Sequence, residues 1–117
     1  MDKKLTPLRI FIILSTLVTG LIHLILGPLL LRGGDYQALG LPFILNGIAY
    51  LALLAAYFLP QPFFRSNRRL VRWALILLSA VTILAWLIIN RDFTDPLALL
   101  SKTAEAALIA LLLVDRS

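Results

Sequence analysis

Lys102 and Glu105 stand three residues apart in the run LLSKTAEAALIALLL, residues 99–113, where most other side chains are apolar. Two ionisable groups in a segment otherwise suited to lipid call for a reason. A charge at the centre of a lipid-embedded helix costs about 2.5–3.5 kcal/mol on insertion scales. The chemistry open to such a pair is ion pairing, proton exchange or the binding of a small ligand. At a spacing of three they share one helical face. The other polar residues inside apolar runs are few. Among them are His23, Asn46, Tyr50 and Thr82, with Ser79 one turn before Thr82 and with Thr16 and Thr19 on the face of His23. An imidazole ordinarily titrates at about pH 6.5, which suits His23 as a titrating partner of Glu105.

Several chemistries are excluded. The chain has one histidine and no cysteine, whereas a metal site needs three or four ligands. A bis-histidine haem would require two protomers, so neither metal nor cofactor is assigned. Disulfides and cysteine nucleophiles are ruled out by composition. There is no nucleophile elbow, P-loop, H-E-x-x-H or pair of carboxylates at catalytic spacing. The reading is non-catalytic.

The elements that must position these residues follow from composition. Of 117 residues, 61% are hydrophobic and 15% charged, with a mean hydropathy of +0.95. Soluble domains run at about 45–50% apolar and about 25% charged, so lipid must serve as part of the solvent. Four apolar spans, 8–31, 39–59, 73–89 and 97–114, are separated by short polar connections. Connections this short make each helix run antiparallel to the one before. The predicted fold is therefore an all-α membrane protein: a single domain, 1–117, of four transmembrane helices in an up-down-up-down bundle. The first span is too long for a signal h-region and lacks an A-x-A-like cleavage site, so it reads as a retained anchor. Gly33-Gly34 and Pro60/Pro62 read as turn punctuation. The small residues Gly20, Gly27, Gly47, Ala52, Ala56, Ala106 and Ala110 read as close helix packing, within the bundle or across a dimer.

Charge sets the orientation. One side receives Lys3, Lys4, Arg9, Arg65, Arg68, Arg69, Arg72 and Arg116, and the other only Arg32 and Arg91, beside Asp35, Asp92 and Asp95. This positive-inside bias predicts both termini in the cytoplasm of a multi-pass protein of the cell (inner or plasma) membrane. Arg65, Arg68, Arg69 and Arg72 are expected to form a basic cytoplasmic loop, a topology determinant and a contact for anionic lipid headgroups. The net charge of +5 is spread along span ends, a distribution that excludes nucleic acid as a partner.

Depth brings the polar residues to one level. Counted from the outer helix ends, Lys102 lies about 8 Å deep and Asn46 and Thr82 about 10 Å. His23 and Glu105 lie at about 12 Å and Tyr50 at about 16 Å. Turned inward, they would form one polar cluster in the outer half of the bundle, with Lys102 shallow enough to snorkel. Depth does not fix rotation about each helix axis. The structural reading stands beside the functional one, because polar side chains hold transmembrane helices together, typically by about 0.6 kcal/mol per bond and at most ~2.

The stretches GLIHLILGP, LNGIAYLAL and SKTAEAALIALLL resemble those of small uncharacterised four-helix integral membrane proteins of bacteria and archaea. The resemblance implies four spans and no activity. Size and helix count are also similar to those of small multidrug-resistance transporters. Their essential glutamate lies in the first helix, whereas the one glutamate here, Glu105, lies in the fourth, which sets the chain apart from that family. The leading expectation is a small accessory or structural subunit of a membrane assembly, within a larger complex whose other proteins cover its exposed faces. Two rivals use the same residues. One is a homo-oligomeric carrier or channel for protons or a small solute, with Glu105 titrating. The other is a binder of lipid, quinone or another hydrophobic ligand.

Overall fold

The computed structural model describes residues 6–34, 37–59, 62, 66–89 and 95–115. Among these residues run the long helices α1 (Pro7–Leu31), α2 (Gly40–Phe58), α3 (Arg68–Ile89) and α4 (Pro96–Val114), with a short 3-10 turn, Gln37–Leu39, before α2. No strand occurs among the described residues. All four helices are long and apolar enough to cross a membrane.

Local chemistry explains the helix ends. Thr6 caps α1 by accepting a hydrogen bond from the Arg9 N–H at 3.3 Å, and Pro7 occupies the first helical position, where its missing N–H costs nothing. Asp95 and Pro96 repeat the device at α4, with Asp95 accepting from the Leu97 N–H at 3.3 Å. Beyond α1 the chain turns through Gly33 and Gly34 at φ 132° and 103°, a region that only glycine enters without strain. The third helix departs from expectation. It starts at Arg68, where the apolar run predicts Trp73, because arginine is a good helix former whatever its hydropathy.

Helix α1 packs against α2 and α4, and α3 packs against the same two. The α1–α2 seam is the tightest. A Cβ on Gly47 would fall 2.7 Å from the Gly20 carbonyl oxygen, and one on Gly27 would fall 2.9 Å from that of Gly40. These glycines let two backbones approach where a side chain would hold them apart.

Along its length of 47 Å the bundle interior is layered. In the middle, Ile12, Leu75, Leu108 and Leu112 are all fully buried and packed together with Tyr50 and Tyr57. On one side of this apolar layer lie Thr19, His23, Ser79, Thr82, Ser101 and Glu105; on the other lie Arg68 and Asp115. Along α3, and along α4 with its C-cap Asp115, polar, apolar and polar levels thus follow in turn. The opposite faces present Phe11, Ile25, Leu77 and Ile88 outward, as a surface covered by lipid requires.

Candidate functional site

Glu105 is the centre of the first polar layer and is fully buried. Three donors converge on it. Lys102 Nζ donates to Oε1 at 2.8 Å, from three residues earlier on the same helix. The Ser101 hydroxyl, four residues earlier, donates to Oε2 at 3.0 Å. From α1, the Thr19 hydroxyl donates to the same Oε2 at 2.5 Å. The two hydroxyl oxygens are themselves 3.0 Å apart. An ionised carboxylate accepts only, and three donors around it match that pattern.

His23 sits one turn from Thr19. Its Nδ1–H donates to the Thr19 carbonyl at 2.7 Å, which fixes the tautomer and turns Nε2 toward Glu105 Oε2, 4.0 Å away. Its ring lies against Phe43, centroids 5.0 Å apart, and Tyr50, 6.3 Å. The Tyr50 hydroxyl crosses to α3 and donates to Ser79 at 3.0 Å. One turn away, Asn46 Nδ2 donates to the Thr82 hydroxyl at 2.8 Å, and Thr82 donates onward to the Leu78 carbonyl at 2.7 Å. The Asn46 amide oxygen is buried with no hydrogen-bond partner among the described residues.

The six residues expected to meet therefore fall into two adjoining halves. His23, Lys102 and Glu105 come together between α1 and α4, while Asn46 and Thr82 pair between α2 and α3. Tyr50 touches both, through its ring contact with His23 and its bond to Ser79. Thr19 and Ser101 complete the coordination of Glu105, and sequence reasoning assigned them no such role. The available signal is spacing: Ser101 precedes Glu105 by four residues, and Thr19 precedes His23 by four, so each pair shares a helical face.

The second polar layer gathers all four helices around Asp115. The Tyr57 hydroxyl of α2 donates to its Oδ2 at 2.5 Å. Arg9 of α1 brings Nε to 3.9 Å from the same oxygen. Arg72 of α3 donates to the Asp115 carbonyl at 2.5 Å, satisfying a backbone group at the end of α4. Arg68 donates to the Tyr57 carbonyl at 2.8 Å and lies 5.9 Å from the centroid of its ring. This corrects the expectation of a basic loop. Arg68, Arg69 and Arg72 are helical residues in the first turns of α3, with Arg68 buried, while Arg65 lies outside the described residues. The side chains of Arg68 and Arg72 reach neighbouring helices, whereas Arg69 is exposed.

Comparison with curated proteins and with solved structures gives no match. The sequence pattern of a family of unknown function, DUF7475, matches residues 1–114, and the chain belongs to that family.

Proposed function

We propose that this chain is a non-catalytic protein of the cell membrane that serves as a small structural or accessory subunit of a membrane assembly. In this reading it is an up-down-up-down bundle with both termini in the cytoplasm. The order of side-chain pairings supports that topology: Thr19 with Ser101 and Glu105, Gly20 beside Gly47, and Asn46 with Thr82 ahead of Tyr50 with Ser79. The orientation rests on the eight-to-two distribution of lysine and arginine.

The observation that carries the structural role is the closure of the Glu105 site on itself. Both carboxylate oxygens are engaged by the chain's own donors, and the group is fully buried. Buried polar groups arranged in this way select one packing of helices over others. The apolar outer faces then remain for lipid or for a neighbouring membrane protein. Native mass spectrometry after gentle extraction from the chain's own membranes tests the subunit role. The expected result is a mass above that of the chain and its copies; a lone monomer or homo-oligomer would overturn it.

A second reading, a homo-oligomeric proton or solute carrier, draws support from the 4.0 Å approach of His23 Nε2 to Glu105. It expects pH-dependent flux in proteoliposomes, lost in Glu105→Gln. Flux that is absent, or equal in the variant, would remove it.

A further inference from the structure

The tautomer of His23 has a consequence beyond helix packing. With Nδ1–H committed to the Thr19 carbonyl, Nε2 of the neutral ring presents a lone pair to Glu105 Oε2 across 4.0 Å. That is an acceptor facing an acceptor. A proton placed on Nε2 converts the pair into a charge-assisted hydrogen bond, which needs an approach of about 1.2 Å to reach ordinary N–H···O length.

The surroundings determine how that approach can occur. From α4, Glu105 and Lys102 face the imidazole, and from α2 the Tyr50 phenol does. Helix α3 reaches this level through the hydroxyls of Ser79 and Thr82, bonded to Tyr50 and Asn46. Glu105 Oε2 already accepts two hydrogen bonds, from Thr19 at 2.5 Å and from Ser101 at 3.0 Å. A third donor must displace one of them. Ser101 holds the longer bond, and it has the Thr19 oxygen 3.0 Å away as an alternative acceptor.

The two directions along the bundle axis differ. The Lys102 side chain is 12% exposed and borders the layer. Toward Asp115 the path meets Thr16, whose hydroxyl is bonded to the Ile12 carbonyl of its own helix, and then Ile12, Leu75, Leu108 and Leu112, each 0% exposed, over an axial distance of about 15 Å from Glu105 to Asp115. Interiors packed to this density hold few voids large enough for a water molecule.

We infer that His23 and Glu105 form a proton-binding site, loaded from the Lys102 side of the bundle, at which a protonated His23 replaces Ser101 as a donor to Glu105 Oε2. One proton from water adds to Nε2, no other covalent bond changes, and the layer gains one positive charge. Lys102 keeps its place on Oε1.

The single histidine makes the test direct. The chain, labelled with 15N in His23 and 13C in the glutamate carboxyl, is placed in oriented proteoliposomes. One side at a time is then taken from about pH 8 to about pH 5. Acid on the Lys102 side is expected to protonate Nε2 and to produce a 15N–13C dipolar contact between His23 and Glu105. Acid on the Asp115 side alone is expected to do neither. Ser101→Ala, which vacates the position the imidazolium takes, is expected to strengthen the contact at a given pH. A His23 that stays neutral, or one that protonates without contacting Glu105, would overturn the inference. So would an equal response to acid from either side, or a contact that Ser101→Ala leaves unchanged or weaker.

Discussion

Two threonines on α1 offer a matched test of what holds the bundle together. Thr16 and Thr19 are both fully buried, and replacement of either by valine swaps a hydroxyl for a methyl in the same shape. Their hydrogen bonds differ in one respect. The Thr16 hydroxyl donates to the Ile12 carbonyl of its own helix at 2.7 Å, a bond that survives when the helices part within a bilayer. The Thr19 hydroxyl donates across to Glu105 of α4 at 2.5 Å, a bond that exists only in the packed bundle. Its acceptor is charged and buried, which places it near the upper end of the range for membrane helix contacts, about 1.5 kcal/mol. Ser101 and Lys102 remain on Glu105 in Thr19→Val, so no orphaned carboxylate adds to the cost. The expected loss is therefore about 1.5 kcal/mol, roughly tenfold in the folded-to-unfolded ratio, against less than about 0.5 kcal/mol for Thr16→Val. Reversible unfolding in mixed detergent micelles measures both, with Trp73 and Trp86 of α3 as reporters. In a Glu105→Gln background the difference between the two threonines should shrink by more than half. Equal losses for the two valine variants would refute the assignment of Thr19 as the link between α1 and α4.

Other consequences follow from the same contacts. Gly47→Val puts a Cβ 2.7 Å from the Gly20 carbonyl oxygen and from Leu24 Cγ, so the α1–α2 seam must open; unfolding should show a loss of about 1–3 kcal/mol. Gly20→Ala, whose Cβ would lie 3.3 Å from a leucine methyl, should cost less than Gly47→Val in the same titration. The Lys102–Glu105 pair lies within one helix, so it lowers the cost of inserting α4 more than it holds α4 to its neighbours. Glu105→Gln should therefore reduce the membrane-inserted fraction of α4 in a glycosylation-tag insertion assay, and Lys102→Met/Glu105→Gln together should restore it. Asp115→Asn keeps an acceptor for Tyr57 but removes the charge beside Arg9. A loss of about 1 kcal/mol is expected in micelles at low salt, and less at high salt.

Hydropathy alone located the four helices, since an apolar run of such length has few alternatives in water or lipid. It misjudged the start of α3, because Arg68, Arg69 and Arg72 end an apolar window without ending a helix. Depth, read from a constant rise per residue, put His23, Asn46, Tyr50, Thr82, Lys102 and Glu105 at one level. It could not distribute them between the α1–α4 and α2–α3 sides, which depends on rotation about each axis. The bonds of Thr19 and Ser101 to Glu105 were not foreseen because a buried serine or threonine most often bonds its own helix, as Thr16 and Thr82 do. Asp115 was invisible for another reason. Its partners Arg9, Tyr57 and Arg72 lie on three other helices, and only the packed fold brings them to one point.

The rotation that turns Thr19 and Ser101 toward each other can be measured by cross-linking, in a chain with no cysteine of its own. Thr19→Cys/Ser101→Cys replaces two hydroxyls whose oxygens are 3.0 Å apart with thiols in reach of a disulfide. Val18→Cys/Ser101→Cys moves one thiol by a single residue, about 100° around α1. Mild oxidation in native membranes is expected to cross-link the first pair within one chain and to leave the second reduced. Cross-linking of both pairs alike, or of the Val18 pair alone, would contradict the placement of Glu105 and its donors between α1 and α4.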